Sequence, residues 1–166
     1  KTLYPGSYRI NTKTAVRATT AAPTFFTPVT WEGGLYCDGA LCANNPAAIA
    51  LQEARSLYPG TPIDLMVSIG TGTFTEKSGN SMGWAKLVNQ LIASATSSED
   101  THNSVQNFLS PSVYYRFNPE LESRINIDEK DKKQLSVLKE FGRGCVSGFA
   151  SSDPKRFEEL IRKISD

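Results

Sequence analysis

Tyr36-Cys37-Asp38-Gly39-Ala40-Leu41-Cys42-Ala43-Asn44-Asn45-Pro46 decides how this chain is read. The run Leu35 to Cys37 is β-prone and ends in Asp38-Gly39. Asn45-Pro46 follows, and then Ala47, Ala48, Ile49, Ala50 and Leu51. Asparagine is a good N-cap, because its side-chain oxygen accepts a hydrogen bond from a free backbone N–H of the first turn. Proline suits the first helical position, where its missing N–H would have had no partner. The stretch therefore reads strand, turn, helix, with one carboxylate at the carboxyl end of the strand. In open α/β sheets ligands sit beyond those strand ends. Asp-Gly is also an ordinary turn dipeptide, so the flanks must decide between a turn and a site.

Working outward, Thr12 to Ala22 reads as a helix closed by Pro23, which cannot continue one. Thr24 to Trp31, aromatic and β-branched, reads as a strand interrupted by Pro28, with Glu32-Gly33-Gly34 as a turn. On the other side, the helix from Asn45 runs to about Leu57, with Ile49, Ala50, Ala54, Leu57 and Tyr58 as its apolar face. Leu65 to Ile69 is nearly all apolar, the mark of a strand buried on both faces. Strand, helix and buried strand make a βαβ unit and favour a parallel sheet.

Gly70 to Gly83 is a long glycine-rich loop, a candidate lid at the substrate mouth. Trp84, Leu87, Val88, Leu91, Ile92 and Ala95 follow at helical spacing and predict a core-facing helix. Ser97 to Ser110 predicts another helix, and Val113 to Phe117 a strand whose aromatics pack. The charge run Asp128 to Lys133 opens a helix with its acids in the first turn, and Gly142, Gly144 and Gly148 weaken its far end. A last helix starts at Asp153-Pro154, with Phe157, Leu160, Ile161 and Ile164 on one face.

The totals exclude several classes. A net charge of +1 lacks the basic surplus of a dedicated nucleic-acid binder. No apolar run approaches the ~20 residues of a membrane span, and no signal peptide opens the chain. Cys37, Cys42 and Cys145 are an odd number without framework spacing, so reduced thiols are expected, and with His102 the only histidine a zinc site is not. The polar start, without an initiator methionine, reads as a chain cut from something longer.

Three segments in order give the flanks their meaning: Arg17-Ala18-Thr19-Thr20-Ala21-Ala22-Pro23-Thr24-Phe25-Phe26, then Asp38-Gly39-Ala40, then Ile63-Asp64-Leu65-Met66-Val67-Ser68-Ile69-Gly70-Thr71-Gly72. Together they resemble the second half of the patatin-like phospholipases, most nearly the calcium-independent phospholipase A2 gamma type, and the likeness extends to Tyr115-Arg116-Phe117-Asn118-Pro119. The resemblance implies an α/β fold with a mostly parallel, helix-flanked sheet. It divides the chain into the C-terminal half of a catalytic domain (1–118) and a helical extension packed on it (119–166). It implies hydrolysis of an acyl ester in a glycerophospholipid or related lipid at a membrane surface, by a Ser–Asp dyad without catalytic histidine, metal or cofactor. Asp38 is then the base, and Gly39 and Ala40 the tight turn presenting it. The serine and the glycine-rich oxyanion loop belong upstream of Lys1. An intracellular, cytoplasmic or peripherally membrane-associated protein is expected, and a severed sheet edge predicts self-association of the isolated chain.

Two other readings stand beside this one. A non-catalytic patatin-like module would keep a lipid pocket or scaffold role without the chemistry. A self-contained serine hydrolase would use Ser81 in Gly79-Asn80-Ser81-Met82-Gly83, with Asp100 and His102 following in hydrolase order. The letters match, but a nucleophile elbow needs a strand running into it, and Thr75 to Ser78 do not read as one. His102, in a polar helix, reads as a solvated surface residue.

Overall fold

The computed structural model describes residues 7–23, 25–74, 98–123 and 125–165. They fall into two compact units, residues 1–61 with 82–104 and residues 62–81 with 105–166. The Gly70–Gly83 loop beyond residue 74, and the amphipathic run Trp84 to Ala95, lie outside the described residues.

The first unit opens with α1 (Thr12–Thr19), where Asn11 Oδ1 accepts the Thr14 N–H at 2.8 Å. Ala18 and Ala21 are buried at its far end. The expected strand from Thr24 shortens to β1 (Val29–Trp31), because Pro28 has no N–H for a ladder. Glu32 and Gly33 both take positive φ, 45° and 77°, the two-residue turn whose twist suits a tight hairpin. Gly34 therefore belongs to β2 (Gly34–Tyr36), which pairs antiparallel with β1, Val29 opposite Tyr36. The strand before Asp38 is thus a hairpin arm; among the described residues it does not join a parallel sheet.

A one-turn helix, α2 (Ala40–Ala43), stands between Asp38 and α3 (Ala47–Leu57), where the sequence reading had only a turn. The stripe that α3 buries is Ala47 and Leu51, with Ala54 half-buried, whereas Ala50, Leu57 and Tyr58 are exposed. The expected apolar face is only partly covered: Ile49 is half-buried, while Gln52, Glu53, Arg55 and Ser56 make the rest of the helix polar. Next comes α4 (Ser98–Phe108), with Glu99 and Asp100 in the first turn, where the helix dipole favours them.

In the second unit β3 (Met66–Ile69) and β4 (Tyr114–Phe117) pair in parallel, Met66 opposite Tyr114 and Ile69 opposite Phe117. Beyond them Thr73 and Glu120 form a further bridge. The core lies on the β4 side. Tyr114, Tyr115 and Leu160 are buried, and Phe149 meets the rings of Tyr115, Phe117 and Phe157 edge-on at 5.6–6.1 Å. The expectation that β3 is buried on both faces fails. Val67 is exposed and Ile69 is 79% exposed, so alternate residues of a strand that is apolar except for Ser68 lie uncovered in the chain by itself.

Asp131 caps α5 (Lys132–Ser152) by accepting the Lys133 N–H, so Asp128 to Lys130 precede the helix instead of filling its first turn. The helix also runs unbroken through Gly142, Gly144 and Gly148. Each glycine costs about 1 kcal/mol relative to alanine, and the rings around Phe149 hold the far end in register against that cost. Helix α6 (Pro154–Ser165) buries Leu160 and leaves Ile161 and Ile164 exposed. Two cations fasten it to the strands. Arg156 donates to the carbonyls of Pro111 (2.6 Å) and Tyr114 (2.8 Å) with its guanidinium 4.8 Å from the Tyr115 ring centre. Lys163 Nζ donates to the carbonyls of Asp64 (2.8 Å) and Ser112 (3.0 Å), joining the chain just before β3 to the chain just before β4. The fold class is α/β. No helix among the described residues is long and apolar enough to cross a membrane.

Candidate active site

β2 delivers the chain to Cys37 and Asp38. The Asp38 N–H donates to the carbonyl of Ala21 at 3.0 Å, which fastens the residue to the end of α1. Ala21 is fully buried, so this anchor is in the packed part of the unit. The Asp38 side chain is half-buried, and its Oδ1 accepts the Ala40 N–H at 2.8 Å. That hydrogen bond satisfies one of the free donors at the start of α2 and fixes the plane of the carboxylate. Oδ2 has no hydrogen-bond partner among the described residues, and no serine among them hydrogen-bonds to Asp38. The carboxylate is oriented, and one of its oxygens is open to a proton donor.

Gly39 flanks α2 with φ −64° and ψ −16°, ordinary right-handed helical values. A methyl group added there would meet only Thr19 Oγ1, at 3.9 Å. The tight turn expected of Gly39 and Ala40 is therefore a helix start. Cys37 and Cys42, on either side, are exposed free thiols.

Asn45 is the buried polar residue among the described residues of the first unit, 3% exposed. Oδ1 accepts the Ala47 N–H at 3.2 Å and Nδ2 donates to the Ser98 carbonyl at 3.0 Å. The helix begins one residue later than Asn-Pro predicts, at Ala47 with Pro46 in the cap position, and Asn45 Oδ1 holds the first helical N–H from one residue further back; its partner 53 residues away has no local signal in the sequence.

These residues fall within the part of the chain, 3–51, matched by the family model for patatin-like phospholipase. A human calcium-independent phospholipase A2-gamma is 34% identical over 165 residues, 98% of this chain and 20% of that protein. The chain belongs to the patatin-like phospholipase family. A phospholipase A I of Arabidopsis thaliana is 31% identical over 169 residues, covering 98% of this chain and 12% of its own length. A patatin-like phospholipase 1 of Plasmodium falciparum is 36% identical over 116 residues, 61% of this chain and 17% of that protein. The chain thus spans about a fifth or less of these curated relatives.

Against this patatin-like background the other candidates separate. Ser81 lies outside the described residues. His102 is half-buried on α4 instead of fully solvated, Asp100 is exposed, and each interacts with a neighbour. No group of three or more His, Cys, Asp or Glu placed to hold a metal ion occurs among the described residues.

The third family-like segment, ending in Gly70-Thr71-Gly72, is a separate construction at the carboxyl end of β3. Asn118 Oδ1 accepts the Gly72 N–H at 2.8 Å, and Arg116 donates to Ser68 Oγ at 2.9 Å. A side chain at Gly70 would run into Asn118 and stand 2.8 Å from the Arg116 guanidinium. Gly72 has φ 107° and would press on Leu121 at 2.8 Å. Leu121 together with the positive φ makes glycine necessary at position 72, Asn118 crowds position 70, and nothing local in the sequence connects them.

Proposed function

We propose that this chain contributes the general base to a lipid acyl hydrolase of phospholipase A type, with Asp38 as that base. The observation that carries the reading is the carboxylate itself, held at Oδ1 by the Ala40 N–H while Oδ2 faces no partner among the described residues. A serine supplied from outside these 166 residues would donate its proton to Oδ2 as its Oγ attacks the ester carbonyl carbon. The proton then passes to the departing alcohol, leaving an acyl-serine and a lysolipid. Water, deprotonated by the same carboxylate, attacks the acyl carbon, releases the fatty acid and returns the proton to serine. Such base catalysis contributes about 10²–10⁴ in rate when donor and base lie at about 2.6–3.2 Å.

No metal or cofactor enters this scheme. The substrate class is an acyl-ester lipid presented at a membrane surface, approached peripherally. Residues 119–166 serve as a helical extension of a catalytic half comprising 1–118.

The test is Asp38→Asn in the complete protein. Asparagine can still accept the Ala40 N–H, so circular dichroism should match the parent, yet its amide cannot take a proton from serine. Phospholipid hydrolysis should fall by about 10²–10⁴. A folded variant retaining more than about a tenth of the parent rate returns Asp38 to the role of an ordinary helix-capping residue and removes the proposal.

A further inference from the structure

We infer that Asn45 is a positioning residue for the Asp38 carboxylate. The inference rests on the reading of Asp38 as the base, and it assigns to the buried amide a role beyond capping α3.

The connection is short and continuous. Asp38 Oδ1 is oriented by the N–H of Ala40, the first residue of α2. α2 is a single turn, with Cys42 and Ala43 N–H both donating to the Gly39 carbonyl, and it buries none of its own residues. So short a helix has too few hydrogen bonds to hold itself in place. Its position is set by its two ends. At one end the Asp38 N–H is tied to Ala21. At the other, two residues past Ala43, Asn45 is buried and spans two backbones: its carbonyl takes the Ala47 N–H and its amide gives a proton to the Ser98 carbonyl. Few side chains can accept and donate at that spacing. Loss of the amide leaves the part-buried Ser98 carbonyl without that donor and frees the end of α2 to shift, and with it the N–H that aims the carboxylate. A misplacement of about 1 Å can cost on the order of 10²-fold in rate.

The experiment compares Asn45→Ala, Asn45→Asp and a control cap removal, Asp131→Ala, all in the complete protein. Asp131 caps α5 in the other unit and accepts a single N–H at its helix start. Three readouts are taken: kcat and KM for phospholipid, kcat against pH, and hydrogen exchange of the peptide containing Ala40. Asn45→Ala should lower kcat by about 10–100-fold with KM within about threefold, and exchange at Ala40 should accelerate. Asp131→Ala should do neither. In Asn45→Asp the introduced carboxyl, when protonated, again both donates and accepts; when ionised it can only accept and faces the Ser98 carbonyl. The ratio of its rate to the parent rate should therefore rise as pH falls, which a mere loss of stability would not produce.

The inference is overturned if Ala40 exchange is unchanged in Asn45→Ala. It is equally overturned if kcat falls only in proportion to the folded fraction, or if the Asn45→Asp ratio is flat with pH. Failure of the base assignment is separately visible: Asp38→Asn would then remain active, whereas Ala40 exchange would still respond to Asn45.

Discussion

Two glycine-bearing turns of this chain, Asp38-Gly39-Ala40 and Gly70-Thr71-Gly72, look alike in sequence and differ in what the fold demands of them. At Gly72 the chain itself requires glycine, through Leu121 and a φ of 107°, and at Gly70 the Asn118 and Arg116 side chains crowd any added methyl. At Gly39 it does not: φ is helical and the nearest atom to an added methyl is 3.9 Å away. The second turn is a piece of architecture at a strand end. The first is a carboxylate on a small helix with open space around its glycine, so any need for glycine there comes from what approaches it. Substitutions can separate the two turns.

Asp38→Asn marks the chemical extreme, with a loss of about 10²–10⁴ in rate and no change in fold. Gly72→Ala marks the structural extreme. A side chain in that positive-φ region costs roughly 1–3 kcal/mol, and overpacking against buried Leu121 adds roughly 1–3 more. Urea denaturation should show a loss of about 2–6 kcal/mol with unchanged m-value. Gly70→Ala should fall below it, because the Asn118 side chain can swing aside at the expense of its bond to Gly72. If Gly72→Ala melts like the parent, the contrast between the turns is lost.

What could be read from the sequence follows the same division between local and distant causes. The approximate positions of α1, α3, α4 and β4 come from short-range signals: Asn-Pro before a helix, a closing proline, a cluster of aromatics in a strand. Asp38 stood out for the same reason. The partners did not. The hairpin of Val29–Trp31 with Gly34–Tyr36 depends on Glu32 joining Gly33 at positive φ, which glutamate seldom adopts. On α3 the residues Ala47, Ala50, Leu51, Ala54 and Leu57 share one broad apolar side, and which of them is covered depends on what packs there. The length of α5 is decided by ring packing around Phe149 against the propensity of its glycines. Asn45 with Ser98, and Asn118 with Gly72, join residues 53 and 46 apart, and no local pattern encodes such a pair.

The exposed face of β3 offers a smaller test. Ile69 and Val67 are uncovered on a strand that, among the described residues, pairs only with β4. Open strand edges with apolar faces associate, so the 166-residue chain should sediment as a concentration-dependent oligomer. Ile69→Lys should weaken that association by about tenfold or more, since burying one large apolar side chain contributes about 1.5–3 kcal/mol. A monomeric parent at all accessible concentrations would show that this face needs no cover.

Gly39→Ala is the substitution with the smallest structural effect and sharpens the comparison most. The backbone at Gly39 already has helical φ and ψ, so alanine adopts it without strain and restricts the unfolded chain more than glycine does. Against this, glycine is somewhat preferred over alanine where a helix begins. The two effects oppose each other at a few tenths of a kcal/mol to about 1 kcal/mol, and the nearest neighbour, Thr19 Oγ1, is at ordinary contact distance. The melting midpoint should therefore stay within the shift that about 1 kcal/mol produces, roughly 2–6 °C for a protein unit of this size. Activity is a separate measurement. If Gly39 is there to let the serine or the lipid ester come close to Asp38, Gly39→Ala should lower kcat well beyond the folded fraction while the melt is unmoved. If the melt drops by more than about 2 kcal/mol, the glycine is structural after all, and the two turns are the same kind of object.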